Sequence, residues 1–264
     1  MKTIRNRIII ACCIFATFSS CKKDETPAIP VLPPASSFAM DFSDYNTEKS
    51  TNLLVENWLY SSVNVVFFST IYTTSMIVPS IAYTASFATT PTYAGDQTWQ
   101  WNYEFKAIGA TYYATLNGTV ENKGVVKWKM YIDKIGANGF TDFLWFEGTV
   151  KDSTSASWTI YETPASPNKV IQTEWTSSAD HSKYELKYTL VSSLDDDKDS
   201  YIISGKDPDE QYDRYYEIYR SADNATISIK WSSDDKSGKV LSPNYFKDNS
   251  WHCWNQYLLD DWCD

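Results

Sequence analysis

The chain has 264 residues, 43% of them hydrophobic and 16% aromatic, with 33 acids against 23 Lys and Arg and a formal net charge of −10. This balance repels nucleic acid and anionic lipid head groups, which argues against nucleic-acid binding and against membrane attachment through a basic patch. The length allows one large β domain or two small ones, and no motif calls for a cofactor.

The chain opens Met1-Lys2-Thr3-Ile4-Arg5-Asn6-Arg7, with three cations and no acid, and Ile8 to Phe18 is uncharged and mostly apolar. Ser19, Ser20 and Cys21 follow. A basic start, a short apolar run and small residues before a cut form the pattern of a secretory signal. The apolar run is shorter than the ~20 residues a membrane-spanning helix needs. Phe18-Ser19-Ser20-Cys21 resembles a bacterial lipobox, although the usual pattern has Leu where Phe18 stands and Gly or Ala where Ser20 stands. The resemblance implies that Cys21 carries the lipid anchor. Lys22-Lys23-Asp24-Glu25 resembles the signal that sends Bacteroidota-type lipoproteins to the outer face of the outer membrane. Residues 1–20 are thus expected to be a signal peptide. Residues 21–37, with Pro27, Pro30, Pro33 and Pro34, are expected to form a stiff extended tether. Residues 38–264 form the domain.

In residues 52–78, Leu54, Trp58, Val65, Phe68, Tyr72 and Met76 fall at helical spacings, and Pro79 then closes the pattern. Apolar residues on nearly every side predict a helix buried by the rest of the protein. A pair of strands is the alternative, because Val, Phe, Ile, Tyr and Thr all favour β structure.

From Trp99 onward the pattern is β. Trp99, Trp101, Tyr103 and Phe105 alternate with Gln100, Asn102, Glu104 and Lys106, as in a half-buried strand. Val126 to Ile132 repeats the alternation. Further strands are expected at 111–120, 143–150, 157–161, 170–175, 184–190, 200–204, 215–220 and 226–231. Turns are expected at Asn117-Gly118, at 121–124, at 136–139 and at 234–238. Asp152-Ser153-Thr154 is either a hairpin turn or, by resemblance, the short O-glycosylation acceptor of Bacteroidota-type exported proteins. Closely spaced strands with no helix between them predict one antiparallel meander, forming a curved sheet or barrel with the 52–78 helix on its concave face. That order of elements loosely resembles the half-barrels of periplasmic lipoprotein carriers. A membrane-spanning barrel also alternates, but Lys127, Lys129, Glu185 and Lys187 on the polar faces argue against it.

No nucleophile elbow is present. Asp195, Asp197 and Asp199 have the spacing of a calcium loop, but Ser200 and Lys206 stand where Gly and Glu belong, so an acidic turn is the better reading. Asp207 to Glu210 with Asp213 is a second acidic loop. Glu147, Glu162 and Glu174 are the carboxylates that a glycosidase-like site would draw on. Cys253 and Cys263, the cysteines left once Cys12 and Cys13 are removed with residues 1–20 and Cys21 is lipidated, are expected to form a disulfide. Zinc held by His252 and these thiols is the alternative. Trp254, Tyr257 and Leu258 have the spacing of one helical face.

Two functional classes follow for a lipid-anchored, surface-displayed protein. One is a non-enzymatic module that binds an apolar or glycan ligand, with Trp99, Trp101, Trp128, Trp145 and Trp158 as candidate ligand-binding residues. The other is a structural or interaction lipoprotein whose aromatics are simply core.

Overall fold

The computed structural model describes residues 26–45, 55–122, 124–192 and 197–263. A single antiparallel sheet of 14 strands runs in strict chain order, each strand pairing only with its neighbours in sequence. The strands are β1 (Thr92–Gly95), β2 (Thr98–Ala107), β3 (Ala110–Asn122), β4 (Val125–Lys134), β5 (Phe140–Lys151), β6 (Ser155–Thr163) and β7 (Ser166–Ser177). They continue as β8 (Tyr184–Leu190), β9 (Tyr201–Lys206), β10 (Arg214–Arg220), β11 (Ala225–Trp231), β12 (Gly238–Leu241), β13 (His252–Trp254) and β14 (Asp260–Asp261). The long helix α1 (Glu56–Ser86) and the short α2 (Pro243–Phe246) complete the fold.

The meander agrees with the alternation in the sequence, but the barrel does not form. The sheet is open, because β1 and β14 pair only inward, with β2 and β13. At four and two residues, these end strands offer little backbone with which to close a ring.

Cross-strand registry builds the core. One row runs Gly118, Trp128, Gly148, Trp158, Thr173, Tyr188, Ile202, Ile218 and Ile227, each residue opposite the next. A second runs Trp101, Leu116, Met130, Phe146, Ile160 and Ile171. Asn117-Gly118, expected as a turn, lies inside β3. The glycine makes room for an indole, since a Cβ at Gly118 would sit 2.8 Å from the Trp128 ring. The expected Asp152 turn is present, with Asp152 and Ser153 both at positive φ, as a tight hairpin between right-twisted strands requires.

Of the 52–78 segment, residues 56–78 are helical, and α1 continues past Pro79 to Ser86. Residues 52–54 lie outside the described residues. Proline removes one backbone donor, yet tertiary contacts hold the turns beyond it. Pro79, Ala82 and Tyr83 are buried, the Tyr83 hydroxyl donates to the Pro33 carbonyl at 2.7 Å, and Tyr103 donates to the Ala82 carbonyl at 2.6 Å. One end of α1 packs on β12–β14 and the other on β2, so the helix bridges the two margins of the sheet.

Residues 26–37 do not stand off as a spacer. With residues 38–45 they form a strap laid on the concave face, where Pro30, Pro33, Phe38 and Phe42 are buried. Side chains along the sheet hold its backbone. Trp99 Nε1 donates to the Pro27 carbonyl, Trp158 Nε1 to Ser37, Tyr188 to Phe38 and Tyr216 to Asp41, at 2.7–3.2 Å. Buried carbonyls need such partners, and a proline-rich strap that cannot join the ladder finds them in Trp and Tyr side chains.

Candidate functional site

The candidate ligand-binding tryptophans belong to the core. Trp128 is 0% exposed, and Trp101, Trp145 and Trp158 are also buried. Trp99 is half-buried, packed on the Tyr93 ring and bonded to the strap. The concave face, where an apolar ligand would sit, is filled by Phe38, Phe42, Val65, Phe68, Tyr72 and Tyr83.

Open aromatic surface gathers instead at the far end of the meander. The C-terminal segment, whose Trp254, Tyr257 and Leu258 have helical spacing, forms a hairpin in which β13 pairs with β14. Asn255 makes the turn, its side-chain carbonyl accepting from the backbone of Tyr257 and Leu259. Such local bonds let asparagine outcompete a helix. Trp254 points inward and donates from Nε1 to the Lys236 carbonyl at 2.8 Å, whereas Tyr257 is exposed. Cys253 and Cys263 are joined by a disulfide, with Cα atoms 5.3 Å apart.

Helix α1 holds this hairpin from behind. Asn57 Nδ2 donates to the Cys253 carbonyl at 2.8 Å, and the Asp260 carboxylate accepts from the backbone N–H of Glu56 and Asn57 at 3.2 and 2.9 Å. Val55 has no side-chain oxygen to cap the helix, so Asp260 supplies the cap and its charge from β14.

In front of the disulfide lies a cleft of about 490 Å³. Tyr212, Trp251 and Trp262 contribute its aromatic surfaces, and Gln211, Asn255, Gln256, Asp235 and Asp261 its polar groups. Trp262 is 93% exposed. The Lys239 ammonium lies 5.0 Å from the centre of the Tyr212 ring and 4.9 Å from that of Trp251, a cation–π bridge that fixes the spacing of the two rings. The Asp235 carboxyl accepts from the Ser237 N–H and hydroxyl, which holds it below the usual carboxylate range. It therefore stays ionised and accepts hydrogen bonds rather than acting as an acid near neutrality. A smaller cavity of about 100 Å³, lined by Tyr45, Trp58, Trp231 and Trp254 among others, lies nearby and shares Trp254 and Gln256 with the cleft.

The remaining candidate chemistry is dispersed. Glu147 takes a hydrogen bond from Tyr161, Glu162 takes one from Ser166, and Glu174 faces Lys187 across the strand pair. Lys183 spans Asp207 and Asp209 of the second acidic loop at 2.7 and 2.8 Å, and the ammonium holds the Asp207 carboxyl below its ordinary range. His252 pairs with Asp248, and both neighbouring sulfurs are in the disulfide, so the zinc arrangement is not formed. Among the described residues, no three His, Cys, Asp or Glu side chains gather as metal ligands. Asp195, Cys21 and Lys22, Lys23, Asp24 and Glu25 lie outside the described residues.

Compared with known proteins, the chain matches no family model, no curated protein and no solved structure.

Proposed function

We propose that this protein is an exported lipoprotein, anchored through Cys21 and displayed on the outer membrane, whose β domain is a non-enzymatic glycan-binding module with its site in the cleft before the Cys253–Cys263 disulfide. The observation that carries the ligand class is the pairing of outward-facing Trp and Tyr rings with a polar floor. A pyranose has an apolar C–H face and a rim of hydroxyls. It therefore matches flat aromatic faces set beside amide and carboxylate groups, in a cleft of the size that small ligands occupy. An apolar ligand fits less well, because the concave face is already filled by this chain's own side chains. The non-enzymatic reading is supported by the carboxylates a glycosidase would draw on, since Glu147 and Glu162 are taken up by hydrogen bonds from Tyr161 and Ser166 and Glu174 faces Lys187, all away from the cleft lining.

Screening the mature protein against an oligosaccharide array, followed by titration of the best hit, tests the ligand class. Saturable binding to a defined glycan is the expected outcome. An array with no signal above that of a denatured control refutes it, and leaves the structural or interaction lipoprotein as the better reading. The anchor is tested separately. Cys21→Ala should move the protein from the membrane fraction to the soluble one, because acyl chains supply about 0.8 kcal/mol per buried methylene and the acidic domain has no basic patch to take over from them.

A further inference from the structure

From Asn57 to Gly95 no residue carries a charge, and neither does any from Thr26 to Met40, in a chain with 56 ionisable Lys, Arg, Asp and Glu residues. These two stretches contain nearly all of α1 and most of the strap, which lie together on the concave side. One face of α1 packs on the sheet, and the other faces outward. Leu59, Val63, Val66, Phe67 and Ile77 are exposed on it, Val63 by 61%. By length and composition, the helix is apolar enough to cross a membrane.

The polar residues on this outer face are neutralised in a specific way. The hydroxyls of Thr70, Thr73 and Thr74 donate to the carbonyls four residues back, Val66, Ser69 and Thr70, at 2.8, 2.6 and 2.9 Å. Ser69 donates three residues back, to Val66, at 3.0 Å. Hydroxyls turned back on the helix need no water, and they leave methyl groups on the threonine surface. A helix face built for solvent would instead carry charges.

The position of the chain's entry point bears on what covers this face. The strap enters at the C-terminal end of α1, where Pro27 and Pro33 are held by Trp99 and Tyr83. Exposed Ile29, Val31, Phe87 and Tyr93 are found on the strap, at the end of α1 and on β1. Only residues 22–25 separate Cys21 from Thr26, a reach of roughly 18 Å when fully extended.

We infer that the outer face of α1, with the exposed apolar residues near the chain entry, rests against the lipid bilayer that holds the Cys21 acyl chains. This inference rests on the lipoprotein reading. The anchor is too short to hold the domain far from the membrane, and the apolar face begins beside the chain entry, at Phe87 and Ile77, and runs along α1 to Leu59. Arg220, whose guanidinium lies 5.6 Å from the Phe67 ring centre, borders the face where lipid phosphates would lie.

The test uses the full-length protein purified from its own membrane and reconstituted in phosphatidylcholine–phosphatidylethanolamine vesicles that contain doxyl-labelled phospholipid. A thiol-reactive fluorophore is placed at Val63→Cys and, as the reference on β3, at Tyr113→Cys. Mass spectrometry reports whether Cys21 is acylated. Quenching by the doxyl lipid at position 63 several-fold above that at 113 supports the inference. Equal, weak quenching at both positions in acylated protein overturns it and leaves the anchor standing. A blue-shifted but unquenched fluorophore at 63 also overturns it, because a second protein then covers the helix. An unmodified Cys21 refutes the lipoprotein reading and takes the inference with it.

Discussion

Truncating Trp262 separates binding from folding. The side chain is 93% exposed, so Trp262→Ala removes almost no contact from the folded state, and the melting temperature should not move. A tryptophan presents about 150–250 Å² of side-chain surface. If a sugar ring covers half of it, ~100 Å² leaves water on binding, worth about 2.5 kcal/mol at ~25 cal/mol per Å². That corresponds to roughly a 70-fold weaker Kd. Isothermal titration with the best array ligand measures the loss, and a parallel thermal melt checks the fold. Trp262→Tyr should retain most of the affinity, because the flat face survives. If Trp262→Ala binds within twofold of the parent while melting identically, the cleft is not the glycan site.

Gly148→Ala should destabilise by about 3 kcal/mol in urea unfolding, because its Cβ would lie 2.3 Å from the buried Trp158 ring and 2.4 Å from the Ser157 carbonyl. Gly118→Ala meets only the tip of the Trp128 ring, so it should cost less, and the reverse order would contradict the packing described. Asp260→Ala removes the cap of α1 and should cost about 1 kcal/mol. The loss should be visible as faster amide exchange in the first turn of the helix, and unchanged exchange there would refute the capping role. Burial raises the hydroxyls of Tyr72, pushed up to about 12, and of Tyr188, which share a hydrogen bond in the core. Both keep their protons in the native state after the unfolded chain has released them. Stability should hold below pH 10 and fall above it by about 1.4 kcal/mol per pH unit for each tyrosine. Ultraviolet absorbance of tyrosinate against circular dichroism checks this, and a flat profile to pH 12 would refute it.

The β architecture was legible because long strands repeat their pattern often enough to be counted. Tyr184–Leu190 has the bounds its alternation suggests, and β2 to β11 all lie where period-two patterns stand. Several features were not legible, each for a physical reason. The Asn117-Gly118 pair has the local chemistry of a turn, and only the distant Trp128 explains a glycine in mid-strand. Pro79 carries a helix-ending signal that tertiary packing overrides. The strands β12 to β14, at two to four residues, are shorter than any period can reveal. The site was missed for a related reason. The alternating Trp99, Trp101 and Trp128 stood out because alternation marks a buried face, and the same regularity seals them in the core. Trp251 and Trp262 lie outside any repeating pattern, which left their outward placement unreadable. The disulfide pairing, by contrast, followed from the cysteine count, which leaves one pair once Cys12 and Cys13 are assigned to the signal peptide and Cys21 to the anchor.

The order of elements along the chain has a consequence for how the protein is made. Every strand finds its partner among its immediate neighbours, so the sheet can zip together hairpin by hairpin with little loop entropy to overcome. The strap and α1 precede all the strands, yet their docking partners, Tyr188, Tyr216 and Trp231 among them, lie late in the sequence. The first segments to be made are therefore the last to find their places. Until β8 to β11 exist, a long helix with a single charge, Glu56, waits without its binding surface, at the stage when exposed apolar segments are most prone to aggregate. Refolding should accordingly show a rapid gain of β structure followed by slower burial of Tyr72 and Tyr83. In the cell, that interval is when a chaperone would have most to hold.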